Sequence, residues 1–191
     1  MLVKGASNSR AVRVTEIFLR KAMQALRFAL EIMYSIGDTV VHPLHGAGVI
    51  YDIEQRRIDG KLHSYYVFVI PYSGMRLMIP CEGCVRVGVR PLITREHANE
   101  LIAALPDVES EPMPNWNRRY RENLENLKSG NHLLVAGVIK GLLIRDAGKG
   151  LSSGERDMLR LAKQILISEL ALATNTSFEC TEEKVCTCLK A

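Results

Sequence analysis

The spacing of apolar residues changes once along this chain, and the change restricts the possible folds. Between positions 36 and 90, short runs rich in β-branched and aromatic residues are separated by turn residues, as in the run at 65–70 that ends at Pro71. Such runs are typical of strands. From Thr94 onward, apolar residues recur at steps of three and four, which is the period of an amphipathic helix. The sequence therefore predicts an α+β protein in which a strand-rich part precedes a helical part.

The first part is predicted to be a small β-barrel. The Asp59-Gly60 pair is a strong two-residue hairpin signal. Four to five short strands fit into fewer than 60 residues, and a chain this short has few other ways to cover its sheet edges. The expected strands lie near 39–41, 49–53, 65–70, 75–79 and 85–89.

The second part is predicted to be an all-helical bundle. A short helix begins after Thr94 and stops at Pro106, and residues 106–114 form a linker with three prolines and several acids. Ser152 and Glu155 have the spacing of a capping box that starts the last long helix. Helices are expected at 117–128, 132–145 and from 152 to about 173, with a frayed tail after Asn175. The predicted divisions are a 1–33 extension, a 34–93 β domain, a 94–114 helix and linker, a 115–174 helical domain and a 175–191 tail.

Residues 1–32 read as one basic amphipathic helix from about Val14, with three open interpretations. It could lie on a membrane surface, bind a partner, or be upstream sequence translated from a misassigned start. We favour the misassigned start, because Met33 directly precedes a well-formed domain opening. A targeting helix is less consistent with the sequence, since the segment contains acids and few serines.

Composition and charge narrow the class of protein. Hydrophobic residues make up 47% of the 191 positions, so the chain can form a core, and no apolar run reaches the length of a membrane span. Five cysteines without a secretory leader indicate free thiols in a reducing, cytoplasmic compartment. The net charge is +4, with a segment of −4 at 94–114 followed by one of +4 at 115–170. A basic second part suits a polyanionic partner.

Signals for an enzyme are weak. His42 and His45 flank a turn without further metal ligands in register, and no phosphate loop or nucleophile motif is present. Cys81 and Cys84 have the spacing of half a zinc site, but Cys186-Thr187-Cys188 is a distant and unusual second half. We expect no enzyme activity, no cofactor and no metal, and a thiol- or zinc-dependent enzyme is the alternative from another class.

Residues 115–121 carry the strongest binding signal. The single tryptophan, Trp116, stands at a predicted helix start beside Arg118, Arg119 and Arg121. Helix starts and arginines bind phosphates, and a large apolar side chain can wedge between base steps in the minor groove. Alternatively, Trp116 and Tyr120 both pack inward and the arginines form a solvated face. Spacing alone leaves both interpretations open.

Several longer motifs give the chain a family resemblance. It resembles the CarD/CdnL-type bacterial transcription regulators over about residues 34–173, in unbroken order. The motifs are 36–50 (IGDTVVHPLHGAGVI), 78–80 (MIP), 87–90 (VGVR), 115–120 (NWNRRY), 150–155 (GLSSGE) and 164–171 (QILISELA).

The resemblance implies a Tudor-like, SH3-like first domain that binds the β subunit of RNA polymerase. Arg56 matches a basic residue of the polymerase contact, and Met78 stands where some members carry another basic residue. His42 stands where an aromatic tyrosine is expected before Pro43. The resemblance therefore implies that part of the polymerase contact is made differently in this chain.

The resemblance also implies a helical second domain that contacts promoter DNA. Trp116 would enter the minor groove at the upstream edge of the melted bubble and stabilise the open complex, with Arg118, Arg119 and Arg121 nearby. No recognition helix is evident, so we expect binding without base readout. We expect a cytoplasmic, nucleoid-associated monomer that does not bind membranes. The runner-up is an adaptor that docks on polymerase and whose helical domain binds another protein.

Overall fold

The computed structural model describes residues 34–110 and 115–190, and for Trp116 it describes the backbone. The predictions for residues 1–33, and for linker positions 111–114, lie outside the described residues. We call residues 34–93 the sheet half, and the described residues from 94 onward the helical half. In these ranges no helix is both long enough and apolar enough to cross a membrane.

The sheet half forms one five-stranded antiparallel sheet. The strands lie in the spatial order β4-β3-β2-β1-β5. They are β1 (Thr39–His42), β2 (Gly46–Ile58), β3 (Lys61–Val69), β4 (Arg76–Pro80) and β5 (Arg90–Pro91). Its core contains buried aromatic and β-branched side chains, among them Val40, Ile50, Tyr66 and Phe68.

The predicted hairpin at Asp59-Gly60 is confirmed. Ile58 pairs with Lys61, and the two turn residues have φ angles of 50° and 77°, as a type I′ turn requires. The predicted strand at 85–89 is wrong, because this segment consists of turns and the strand is only Arg90–Pro91. Gly83 and Gly88 take positive φ angles of 78° and 90°, which an extended strand does not contain.

The helical half contains five α-helices among the described residues. They are α1 (Arg95–Ala104), α2 (Trp116–Lys128), α3 (His132–Lys149), α4 (Ser153–Thr174) and α5 (Phe178–Lys190), with a short 3₁₀ turn at Leu105–Asp107. The predicted capping box is confirmed, since Ser152 and Glu155 exchange the expected hydrogen bonds at the start of α4.

The prediction of a frayed tail is wrong. Residues 178–190 form α5, and its Val185 and Leu189 are 0% and 1% exposed in the helical core. Phe178 also stacks on Tyr72 of the sheet half, with 4.0 Å between ring centroids. The tail is short and contains three cysteines and four charged residues before Lys190, so its apolar positions are too few to predict docking from sequence.

Helix α4 joins the two halves, and residues 165–171 in its second half are all buried. The predicted inward residues Met158, Ala162 and Ile165 are buried in the helical core. On the other side, Ser168 and Glu169 are buried as well, because α4 packs against the start of β2. A helix between two layers cannot present one polar face to water, so its sequence is less clearly amphipathic.

Candidate functional site

Arg56 and Met78 lie on the same face of the sheet, which we call the outer sheet face. Side chains alternate along a strand, and the register places Met78 opposite Val67 and Arg56 opposite His63. The two residues are therefore two cross-strand rows apart. Arg56 is exposed and its Nη2 lies 3.2 Å from Glu54 Oε2, whereas Met78 is half-buried.

The same outer sheet face carries residues that sequence reasoning missed. Tyr51 is 60% exposed, and the guanidinium of Arg76 lies 5.0 Å from its ring centroid. Ile58, near the hairpin tip, is 46% exposed. Large apolar side chains exposed beside arginines are typical of an interaction surface. The register shift between Ile50 and Asp52 hides this pattern, because simple alternation does not predict which side of a bulge a residue faces.

The start of α2 has the geometry expected of a capped, basic helix end. The Asn115 side chain accepts a hydrogen bond from the Arg118 amide at 3.1 Å, so α2 begins at Trp116. Arg118 is exposed and its Nε donates to Glu122 Oε1 at 2.7 Å. Arg121 is exposed too. Tyr120 is 38% exposed, which disagrees with the interpretation that it packs inward.

Arg119 differs from its two neighbours. Its side chain is only 12% exposed, and its Nη2 donates to Glu155 Oε1 at 2.6 Å. Of the three arginines predicted to contact DNA, the structure thus places Arg118 and Arg121 at the surface and directs Arg119 into the bundle.

Glu155, at the start of α4, contacts Arg119 of α2, Arg145 of α3 and the capping residue Ser152. We call these four residues the Glu155 cluster. Glu155 Oε2 accepts from the Ser152 amide at 3.0 Å and from its hydroxyl at 2.8 Å. Arg145 Nε lies 2.9 Å from Oε1. Burial would raise the pKa of Glu155, but the hydrogen bonds from Ser152 and Arg119 and the charge of Arg145 outweigh it and lower the pKa to about 2.

A second buried carboxylate, Glu169, connects the sheet half to the helical half. It is 0% exposed and accepts hydrogen bonds from both terminal nitrogens of Arg90, in the bidentate geometry that favours arginine. Its Oε2 also lies 3.0 Å from His132 Nε2. Burial would raise the pKa of Glu169, but hydrogen bonds from His132 and Arg90 lower it overall. No sequence signal identified this residue, because its partners come from distant elements.

Backbone contacts support the same junction. The Ala47 amide donates to Ser168 Oγ at 2.8 Å, and Gln164 Nε2 donates to the His45 carbonyl at 2.9 Å. Gly46 has a φ of +80°, and a Cβ added there would lie 2.2 Å from Ser168 Oγ and 2.7 Å from the Gln164 carbonyl oxygen. Only glycine permits this approach of β2 to α4.

The histidines and cysteines do not assemble a metal site in the described ranges. The rings of His42 and His45 lie 4.7 Å apart, and His42 Nδ1 accepts from the Leu44 amide. Burial first, and His45 second, lower the pKa of His42 to about 4. Cys81 and Cys84 are buried in the sheet half, while the other three thiols lie on α5. Residues 34–110 and 115–190 contain no group of three or more metal-ligating side chains.

The described residues thus define a two-part α+β protein with an exposed sheet face and a basic helix start. Family models match both parts, as a CarD-like/TRCF RID domain at residues 34–93 and a CarD C-terminal domain at 100–186. The chain is also 33% identical to the putative transcription factor YdeB of Bacillus subtilis (strain 168) over 138 residues, which are 72% of this chain and 90% of that protein. The chain belongs to the CarD family of transcription factors.

The family assignment agrees with the structure on two further points. The sheet half is a Tudor-like domain, which confirms the predicted α+β fold class. A match to the RID domain class also implies an interaction with RNA polymerase. The family model of the second part begins at residue 100, which fits the burial of α1 in the helical core.

Proposed function

We propose that this protein binds the β subunit of RNA polymerase through the outer sheet face and stabilises the promoter open complex through Trp116. The observation that carries the DNA part is the start of α2. There a capped helix begins at Trp116 and presents Arg118 and Arg121 at the surface. A cation pair beside a helix N-terminus attracts phosphates, and a large aromatic residue at such a place suits a minor-groove wedge.

The three arginines take different roles in this proposal. Arg118 and Arg121 are exposed, and each contributes a charge that a phosphate can neutralise. Glu122 lies 2.7 Å from Arg118 and reduces the field of that arginine, so Arg121 carries the larger share. Arg119 is bonded to Glu155, so it supports the helix rather than contacting DNA. Contacts of this kind position the protein on DNA without reading its bases.

The polymerase part rests on the outer sheet face. Tyr51, Arg76 and Ile58 expose apolar and cationic surface beside Arg56. Half-buried Met78 extends this surface in place of a basic residue, so its contact with the β subunit is apolar. Because the protein acts as part of the transcription complex, we propose that it is located in the cytoplasm and associated with the nucleoid. We also propose that it acts as a monomer.

The DNA part is tested with Trp116→Ala, using the lifetime of promoter open complexes at saturating protein. We expect the variant to lose the extra lifetime, because alanine cannot occupy a base step, while its binding to the β subunit is unchanged. Trp116→Phe should keep part of the effect, because a smaller ring can still enter. A thermal melt of each variant is the control. An unchanged lifetime with an unchanged melt would exclude the wedge.

The polymerase part is tested with a pair of charge reversals. Arg56→Glu should weaken binding to the β subunit, because it reverses a charge on the outer sheet face. The matched control is Arg57→Glu, since Arg57 is the next residue, is also exposed and points to the opposite face. Equal effects of the two reversals would remove Arg56 from the contact. Polymerase binding that persists without any DNA effect of Trp116→Ala would favour the adaptor alternative.

A further inference from the structure

Most of the first part of α2 is not held by apolar packing. Of the described side chains at positions 117–126, none is buried, and the buried Leu127 lies at the far end of the helix. Helices in proteins are usually fixed by an apolar face that packs on a core. Among the described side chains near Arg118 and Arg121, polar contacts are therefore more prominent than apolar burial.

The Glu155 cluster provides polar contacts of this kind. Arg119 and Glu155 have side chains only 12% and 5% exposed, and they meet at 2.6 Å. The same carboxylate holds the first turn of α4 through Ser152 and lies 2.9 Å from Arg145 near the end of α3. One side chain thereby connects α2 to two helices that are anchored in the core.

We infer that Glu155 is a positioning residue for the DNA contact, which it fixes by holding Arg119 and hence the Trp116 end of α2. This inference rests on the proposed function, because it assigns a purpose to the position of that helix end. Glu155 does not touch DNA in this scheme. It sets the direction in which the first turns of α2 leave the bundle, and a misplaced wedge cannot enter a base step even when its side chain is intact.

The direction in which one substitution changes the open-complex lifetime distinguishes a positioning role from an electrostatic one. Glu155→Gln keeps the capping box, since glutamine also serves at that position, but it removes the charge that holds Arg119 and Arg145. The variant raises the net charge from +4 to +5. If only charge mattered, a more positive protein would extend open-complex lifetime. Positioning demands the opposite result, which is a loss of at least half of the lifetime extension.

The matched control is Glu125→Gln. Glu125 is an exposed residue on the same helix, and its substitution adds the same charge without touching the Glu155 cluster. We expect an open-complex lifetime equal to or longer than that of the wild type. A second variant, Arg119→Met combined with Glu155→Gln, guards against unfolding, because it leaves no buried Arg119 charge unpaired. It should melt close to the wild type and still show the short lifetime.

A measurement without DNA keeps the two proposals separate. Trp116 is the single tryptophan, so its fluorescence anisotropy reports on the start of α2 directly. In Glu155→Gln we expect lower anisotropy with an unchanged helical circular dichroism spectrum. If Trp116→Ala leaves the lifetime unchanged, the proposed function fails, and the anisotropy still decides whether the cluster fixes α2. Unchanged anisotropy, or a lifetime of Glu155→Gln at or above the wild-type value, would overturn the positioning role.

Discussion

Glu155 and Glu169 are both buried carboxylates bonded to arginine, but they lie in different surroundings. Glu169 stands at the junction of the two halves, where Arg90 and His132 contact it and where the Ala47–Ser168 and His45–Gln164 hydrogen bonds also cross. Glu155 lies inside the helical half and contacts a helix in which no described apolar side chain before Leu127 is buried.

The comparison teaches that the neighbourhood decides what a buried ion pair contributes. Burying charges costs desolvation energy, which the mutual attraction offsets only in part. At the junction, several other contacts already fix the arrangement of the two halves. The main contribution of Glu169 is therefore to neutralise the charge of Arg90. At the start of α2, the Glu155 cluster provides most of the described attachment, so Glu155 affects the position of that helix end as well as stability.

The largest expected effect is that of Glu169→Ala. The substitution removes the carboxylate from Arg90 and His132, and breaking a buried pair in this way costs about 3–5 kcal/mol. Urea unfolding monitored by circular dichroism measures the loss. Glu182→Ala is the control, because its pair with Lys163 at 2.9 Å is partly exposed, and its loss should cost less than about 1 kcal/mol. Equal losses would mean that burial does not distinguish the two pairs.

A second prediction concerns the stability of the folded protein at acid pH, and it applies to both carboxylates. The pKa of Glu155 is about 2 in the folded protein against an ordinary value of 4.5. Its contribution is therefore complete above pH 4.5 and is lost as the pH falls toward 2. At about 1.4 kcal/mol per pH unit of difference, the loss amounts to about 3 kcal/mol. The pKa of Glu169 is also lowered, so its contribution is lost below the same ordinary value.

Urea unfolding at a series of pH values from 7 to 2 measures this effect. Glu155→Gln cannot be protonated, so its stability should fall less over the acid range than that of the wild type. Glu169→Gln should also reduce the acid dependence of stability, because it removes the titratable carboxylate at the junction of the two halves. An acid dependence of Glu155→Gln identical to that of the wild type would contradict the assignment.

The smallest expected effect is the difference between two glycine substitutions. Gly46 and Gly60 have φ angles of +80° and +77°, but only Gly46 lies against α4, whereas no atom lies within 4 Å of a Cβ at Gly60. Both alanine variants carry the backbone cost of about 1–2 kcal/mol. Gly46→Ala adds a steric cost of about 1–3 kcal/mol. Thermal unfolding of the two variants gives the difference, and equal melting temperatures would mean that the junction adjusts freely.

Local patterns predicted much of this fold. Thr94 and the Ser152/Glu155 pair were predicted to begin helices, and the Asp59-Gly60 pair to turn a hairpin, because each signal acts on neighbours within a few residues. The predicted strand at 85–89 failed because Gly83, just before it, and Gly88, within it, also fit the ends of a strand. Helix α5 was missed because its core contacts come from residues far away in the chain.

The candidate site divides in the same way. The sequence by itself determined that Trp116 stands at a helix start among arginines, because the helical period and charges at fixed spacing are local properties. Only the tertiary structure decided that Arg119 points inward to Glu155 and that Glu169 joins Arg90 to His132. These residues are 36, 79 and 37 positions apart, and no periodic pattern links such distances. Ion pairs of this kind form only after packing has brought the helices and the sheet together, and burial then decides what each charge contributes.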